Sequence, residues 1–244
     1  MLSGMRIAAL YDIHGNAPAL RAVLAELHAE VRPALCVIGG DVVAGPQPGE
    51  VLDLLLGSGL TLRWVMGNAD RAVLDPAADP DHPAAALDAF ARSRLCPEHL
   101  ALVSTFEPAV VAGGMLFCHG SPRSDTERLT RITPESRYAE ILAGVRQRTV
   151  VCGHTHQQFD TRAAGHRIVN AGSVGMPYEG RPGAYWAHFE DGVPTLHRTE
   201  YDIGSAAAEL RATSAPDIDE IMLRESLLEP ADPDEVTRFL EPPA

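Results

Sequence analysis

The chain is organised by short apolar runs that each stop at a glycine-flanked polar side chain. Arg6 to Tyr11 (RIAALY) leads into Asp12-Ile13-His14-Gly15-Asn16, and Ala34 to Ile38 leads into Gly39-Gly40-Asp41. Thr61 to Met66 leads into Gly67-Asn68-Ala69-Asp70, Met115 to Cys118 into His119-Gly120, and Thr149 to Cys152 into Gly153-His154-Thr155-His156. Runs of this length and character suit buried strands. Between the early runs the apolar spacing is helical. Asn16 to Val31 places Leu20, Val23, Leu24 and Leu27 on one face, with Asn16 or Ala17 at the cap and Pro18 in the first turn. Glu50 to Leu56 reads as a second helix, closed by Gly57 and Gly59. Alternating strand and helix signals predict an α/β layered fold.

The alternation lapses from Asp75 to Pro108, where Pro76, Pro80 and Pro83 punctuate an acidic stretch. Helical segments around Ala84–Leu95 and Glu98–Thr105 follow. This segment is expected to be an insertion, either a small cap beside the site or an ordinary helical connection. Arg167 to Val169 is another strand-like run, and Tyr185–Phe189 and Val193–Arg198 flank Asp191-Gly192, a hairpin signal. From about residue 202 the chain is helical, acidic and proline-interrupted. No internal repeat is visible, and residues 1–244 are read as one domain.

Composition narrows the chemistry. The chain has no lysine; all 20 of its Lys+Arg residues are arginine. That excludes a P-loop lysine, a Schiff-base lysine and a lysine general base, so phosphate would have to be handled by metals, arginines, histidines and backbone N–H groups. The net charge of −13 argues against a nucleic-acid polymer as partner, since such binding rests on many Lys/Arg–phosphate contacts. No apolar run approaches the ~20 residues of a membrane helix. The start, Met1-Leu2-Ser3-Gly4-Met5-Arg6, lacks a signal-peptide plan, Met5 is a plausible natural start, and a cytoplasmic setting is expected. Cys36, Cys96, Cys118 and Cys152 form no CxxC pair, and the three inside apolar runs read as buried, inert thiols.

In open α/β sheets, sites form outside the carboxyl ends of the strands, so the polar residues after the five runs converge from distant positions. Taken singly, each has an ordinary reading: an Asp after a strand caps a helix, a His beside Gly sits in a turn, and Gly-Asn is a turn signal. Five such events in register are hard to obtain by accident. Carboxylate, imidazole and amide oxygen are ligands for Mn, Fe, Zn or similar ions. Asp12-x-His14 and His154-x-His156 are each expected to put two ligands on the same side of an extended segment. Seven ligand-type residues (Asp12, His14, Asp41, Asn68, His119, His154 and His156) exceed one tetrahedral site and fit two ions sharing a carboxylate.

In this order, D-x-H, G-D, G-N, H and G-H-x-H resemble the calcineurin-like metallophosphoesterase family, in its small prokaryotic phosphodiesterase branch. The resemblance spans about Met5 to Phe189 and includes Asn170-Ala171-Gly172-Ser173-Val174-Gly175, which is similar to a glycine-rich loop of small prokaryotic members. It implies a four-layer α/β/β/α sandwich and a binuclear metal-dependent phosphoesterase. Asp12, His14 and His156 would hold one metal, Asn68, His119 and His154 the other, and Asp41 would bridge them. Two divalent ions are implied, Mn foremost, with Fe, Zn, Ni, Co or Mg as alternatives, and a metal-bridging hydroxide as nucleophile. Asp41 and His119 would thus serve catalysis, and Asn68 would also contact substrate.

One departure matters. Many members carry a His directly after the motif Asn, thought to protonate the leaving group or bind phosphate; here that position is Ala69. Asp70 is the nearest ionisable substitute, with a turn role as the alternative. The gap favours activated or nucleotide-type diesters and anhydrides over alkyl monoesters. Arg123, in His119-Gly120-Ser121-Pro122-Arg123, and Arg71 are candidate substrate contacts, with surface salt bridges as the alternative for each. Asn16 is read as the first helix cap, and His82 enters the site only if the insertion folds over it. The expected partner is a small phosphoester or nucleotide, with a homo-oligomer compatible with the sequence. A dinucleoside-polyphosphate hydrolase, a phosphoprotein phosphatase and a non-enzymatic scaffold of the same fold are the alternative functions.

Overall fold

Residue parity along the first strand, β1 (Arg6–Leu10), sets the layering of the molecule. Ala8 and Leu10 point into one apolar cluster and Ile7, Ala9 and Tyr11 into another, so this strand is buried on both faces. Near-continuous apolar runs such as these are what two-sided burial requires. The computed structural model describes residues 5–79, 81 and 83–241.

Beside β1 lie β2 (Leu35–Ile38) and β3 (Leu62–Trp64), both parallel; the hairpin β9 (Ala184–Glu190) and β10 (Val193–Thr199) joins antiparallel on the other side. The first sheet is therefore ordered β10-β9-β1-β2-β3. The second, ordered β4-β5-β6-β8-β7, is built from β4 (Ala109–Ala112), β5 (Met115–Cys118), β6 (Thr149–Cys152), β7 (Gln158–Ala163) and β8 (His166–Ala171). Tyr11, Val37, Phe117, Val151, Val169 and Phe189 form the dry layer between the sheets, with the Phe117 and Phe189 rings packed edge to face. Helices α1 (Ala17–Glu26) and α2 (Pro48–Gly57) cover the outer face of the first sheet. The helix α6 (Glu135–Ile141) covers the second, through Tyr138 and Ile141. The result is the two-sheet sandwich with outer helices that the motif order implied.

Three helices not yet placed follow from local chemistry. α3 (Asn68–Leu74) starts directly after Gly67, and α4 (Ala85–Ser93) and α5 (Pro97–Val103) form the 75–108 segment. Leu87 of α4 packs with the C-terminal helices, while Ala91, Leu95 and Val103 join the cluster on the first sheet. The segment thus bridges the sandwich to the C-terminal region, which consists of α7 (Ile203–Ala212), a widened helical stretch over Asp219–Leu228, and α8 (Pro233–Leu240). Among the described residues no helix is long and apolar enough to cross a membrane. Cys36, Cys118 and Cys152 are buried and Cys96 is exposed.

The sequence reading missed β4, β7, α3 and α6. β7 (QFDTRA) is an edge strand pairing only with β8, so half its side chains face water and its pattern carries little apolar signal. Helix α3 hides behind Gly67-Asn68, which by itself spells a turn.

Candidate metal centre

Three of the five loops do not leave their strands as extended chain. Asp12 (φ 52°), His14 (47°), Asp41 (52°), His154 (65°) and His156 (57°) all adopt the left-handed conformation. The expectation that Asp12-x-His14 and His154-x-His156 are extended is therefore wrong. Two left-handed residues flanking one intervening residue curl the loop so that both side chains still converge. Such residues cost roughly 1–2 kcal/mol each and persist where the surroundings over-determine them. Here the surroundings are backbone hydrogen bonds that carry the parallel pairing past the strand ends. Asp12 N–H donates to Gly40 O (3.0 Å), His14 N–H to Asp41 O (2.9 Å) and Gly15 N–H to Val42 O (3.0 Å).

The glycine-rich loop straps the same region. Ser173 Oγ donates to Asp12 O (2.7 Å), and Gly175 N–H donates to that oxygen as well (3.0 Å). Asn170 Nδ2 donates to Gly153 O (2.8 Å) and to Thr155 Oγ1 (2.9 Å). Asn16 caps α1 by accepting from Ala19 N (3.1 Å) and donates Nδ2 to Gly175 O (2.9 Å). Close approach explains two of the flanking glycines. A Cβ on Gly67 would lie 2.1 Å from Asp41 Oδ1, and one on Gly153 would lie 2.5 Å from Asp12 Oδ2.

Each histidine is oriented by a carbonyl. His14 Nδ1 donates to Ala44 O (3.0 Å), His119 Nδ1 to Gly39 O (2.9 Å) and His156 Nδ1 to Met176 O (2.7 Å). A carbonyl only accepts, so in these three rings Nδ1 carries hydrogen and Nε2 is left to face the centre. His154 is reversed: its Nε2 contacts Thr126 O (3.2 Å), which leaves Nδ1 for the centre. The carboxylates lie among these nitrogens. Asp41 Oδ2 is 3.3 Å from His119 Nε2 and 3.7 Å from His14 Nε2, and Asp12 Oδ1 is 3.4 Å from His156 Nε2. Asn68 Oδ1 is 3.1 Å from His119 Nε2.

The donor atoms sort into two groups, Asp12, His14, Asp41 and His156 in one and Asp41, His119 and His154 in the other, with Asp41 common to both. The two buried carboxylates dominate the electrostatics of the cluster. Burial pushes the Asp41 carboxyl up, but His119, His14 and His154 outweigh it and hold it well below the ordinary carboxylate range. Burial alone would lower His119; facing Asp41 and Asp12 lift it to about 10. Burial and His119 push His154 down to about 4. Two observations test whether a metal pair suits the residues. Asp12 Oδ1 is buried without a hydrogen-bond donor, which in a carboxylate is costly. His14 Nε2 and His156 Nε2 face each other at 3.3 Å with their lone pairs turned inward. Divalent ions with oxygen and nitrogen ligands would satisfy both, and each candidate His has the carbonyl partner that such sites use to fix the ring.

The remaining predicted residues separate from this cluster. Asp70 is fully buried: Oδ1 accepts from Val42 N (2.8 Å) and Val43 N (3.0 Å), and Oδ2 from Gly67 N (3.3 Å). Burial and the neighbouring Asp41 raise its pKa to about 7. Ala69 offers only its N–H, donated to Asp41 Oδ1 (2.8 Å). Arg71 forks onto Asp125 at 2.9 and 3.1 Å, and Arg123 forks onto Glu127 at 2.9 and 2.6 Å. His82 lies outside the described residues.

A cavity of about 280 Å³ opens over the cluster. Besides ligands it is lined by Ala84 and Asp88 from the 75–108 segment, Ile221 and Leu240 from the C-terminal region, and by Tyr178 and Arg128. Tyr178 stacks on His156, ring centroids 5.2 Å apart. Sequence reasoning singled out neither Tyr178 nor Arg128, nor the carbonyls of Gly39, Ala44, Thr126 and Met176. A backbone carbonyl has no signature in residue identity, and Arg128 belongs to no glycine-flanked motif.

Comparison with known proteins agrees with this geometry. Residues 5–192 match the calcineurin-like phosphoesterase superfamily domain. A metallophosphoesterase from Sphaerobacter thermophilus is similar in structure, with TM-score 0.76 and 27% identity over 93% of this chain and 99% of that one. A hypothetical protein from Pyrococcus horikoshii OT3 shares the fold, with TM-score 0.78 and 22% identity over 91% and 98% of the two chains. No curated protein matches the sequence. The chain belongs to the calcineurin-like phosphoesterase superfamily and is a metal-dependent phosphoric ester hydrolase.

Proposed function

We propose that the protein hydrolyses small phosphodiester or nucleotide-type substrates at a pair of divalent ions, manganese foremost. The observation that carries this reading is the position of Asp41, shared by two groups of donor atoms. In this reading Asp12, His14 and His156 hold one ion, Asn68, His119 and His154 hold the other, and Asp41 spans both. When bound, such a pair acidifies water, orients the phosphoryl group and stabilises charge on attacking and leaving oxygens. The chain's own contribution is orientation. Carbonyls of Gly39, Ala44, Thr126 and Met176 lock the four rings, and the left-handed loops hold Asp12 and Asp41 before any ligand arrives.

The residues after Asn68 define the substrate. Ala69 has no proton to give a leaving group, and Asp70 is occupied as a buried clamp on three backbone N–H groups rather than facing the cavity. We therefore read Asp70 as a holder of the Asp41 and Asn68 loops. A site without a placed acid suits leaving groups that depart as stable anions, such as aryl or nucleotide phosphates, better than alkoxides. The cavity walls from the 75–108 segment and the C-terminal helices argue for small substrates over proteins or nucleic-acid polymers. An adjoining cavity of about 420 Å³ shares Asn68, Ala69 and Asp88, and gives room beyond the scissile group. That space favours dinucleoside polyphosphates as the second reading, its lining of Asp75, Asp79 and Asp88 against the single, acid-paired Arg71 suiting a nucleoside end rather than further phosphates.

The test is turnover of metal-stripped protein reloaded with Mn, Ni, Co, Mg or Zn, on bis- and mono-p-nitrophenyl phosphate, cyclic nucleotides and diadenosine polyphosphates. Metal-dependent hydrolysis favouring diesters or anhydrides is expected. Asp41→Asn should lose on the order of a thousandfold in kcat/KM, since the metal pair supplies several kcal/mol. Full activity in Asp41→Asn would sink the two-metal reading, and equal rates on unactivated monoesters and diesters would sink the substrate reading.

A further inference from the structure

Arg71 and the arginines between Ser121 and Arg137 are not equivalent. Arg71 is paired with Asp125, Arg123 with Glu127, Arg131 with Asp234, and Arg137 lies within ion-pair distance of Glu127 and Glu241. Arg128, in the same stretch of chain, has no anionic partner among the described residues, and it lines the cavity over the metal ligands. Its backbone is fixed on both sides to the loop that carries His154. Thr126 O accepts from His154 Nε2 (3.2 Å), and Leu129 O accepts from Thr155 Oγ1 (3.2 Å). In a chain of net charge −13, an exposed cation with no anionic partner, carried on backbone tied to the His154 loop beside a phosphoester site, is available to an anion that is not part of the protein.

From this we infer that Arg128 binds the phosphoryl group of the substrate, supplying the positive charge that the residue after Asn68, Ala69, does not. The inference rests on the two-metal reading above and assigns the anion contact to a residue outside every motif. A guanidinium fork matches phosphoryl oxygens, and a lysine matches them only as a point charge. A contact made with the anion before and during reaction lowers KM more than it raises kcat. It is worth more for a monoester dianion than for a diester monoanion, because more charge sits on the non-bridging oxygens.

The experiment measures binding of inorganic phosphate to the metal-loaded protein by titration calorimetry, alongside metal content, and then KM and kcat for mono- and bis-p-nitrophenyl phosphate. Arg128→Gln should keep its metal content and lose phosphate affinity on the order of ten- to a hundredfold, as expected for a charge-assisted hydrogen bond. KM should rise more than kcat falls, and the monoester should suffer more than the diester. Arg128→Lys should fall between, and serves alone if the glutamine variant does not fold. Phosphate affinity within twofold of the unaltered protein, with metal content intact, would overturn the inference. Asp41→Asn separates the two readings: loss of metal there together with unchanged phosphate binding in Arg128→Gln rejects only the arginine, whereas full metal content and activity in Asp41→Asn rejects both.

Discussion

The ligand loops and the arginine-rich stretch from Ser121 to Arg137, which reaches the same cavity through Arg128, are built on opposite principles. In the ligand loops the polar side chains are buried, and Asp12, Asp41, His119 and His156 expose at most 5% of their surface. Each ring nitrogen turned away from the centre has a carbonyl partner, and at Asp12, His14, Asp41, His154 and His156 the backbone is left-handed. In the arginine stretch the guanidinium groups of Arg123 and Arg131 are exposed and pair with acids of the chain itself, Glu127 and Asp234. The first region stores geometry, at a local conformational cost; the second holds charge that can be rearranged cheaply. The candidate ligand set is thus built into the fold, whereas under the proposed function choice of substrate would fall to exposed side chains and to walls contributed by the 75–108 segment and the C-terminal helices.

That contrast breaks most readily at Gly67. Gly67→Ala would set a methyl 2.1 Å from Asp41 Oδ1 and 2.2 Å from Asp41 N, so the shared carboxylate must move. Metal affinity should fall on the order of 10- to 100-fold, the usual cost of disturbing a ligand's support, measured as metal retained after dialysis. Unchanged retention would mean that the loop is softer than its hydrogen bonds suggest. A smaller effect is expected where the wall meets the centre. Gln157, next to His156, donates Nε2 to Pro233 O (2.7 Å) and accepts from Thr237 Oγ1 (2.7 Å), which ties α8 to the ligand loop. Thr237→Val leaves the buried Gln157 oxygen short of a donor and should cost about 1–3 kcal/mol in denaturant unfolding. Hydrolysis of bis-p-nitrophenyl phosphate should change by less than about twofold if α8 is only a wall, a change small beside the 1.4 kcal/mol that a factor of ten represents. A large drop in kcat would instead make α8 part of the ligand support. The smallest effects belong to the paired arginines. Arg71→Ala and Arg123→Ala remove exposed ion pairs worth about 0.2–1 kcal/mol and should leave KM nearly unchanged, in contrast to Arg128→Gln.

Much of the centre was legible because glycine and metal-type side chains repeat after apolar runs, and each element of that pattern has a chemical reason. The layered fold was legible for the same reason, since strands buried on both faces must be apolar throughout. Legibility failed where a residue's role comes from a neighbour distant in the chain. Asp70 lies next to the gap at Ala69 and invites an acid's role, yet its oxygens are taken up by Val42, Val43 and Gly67. Arg71 and Arg123 sit in or beside motifs and are tied to acids; Arg128 sits in none and faces the cavity. Asp12-x-His14 reads as extended chain by side-chain alternation, and only the pairing of its backbone with Gly40 and Asp41 shows the curled loop.

From residue order alone come the layered architecture, the seven ligand-type side chains, the lysine-free handling of phosphate and the vacancy of chemistry at Ala69. These are properties of identity and spacing, which are local. The handedness of the ligand loops, the nitrogen each imidazole presents, the walls of the cavity and the place of Arg128 on its rim, with no anionic partner among the described residues, were settled by folding. Each depends on carbonyls and carboxylates brought together across tens of residues, and no local pattern encodes which of them will meet.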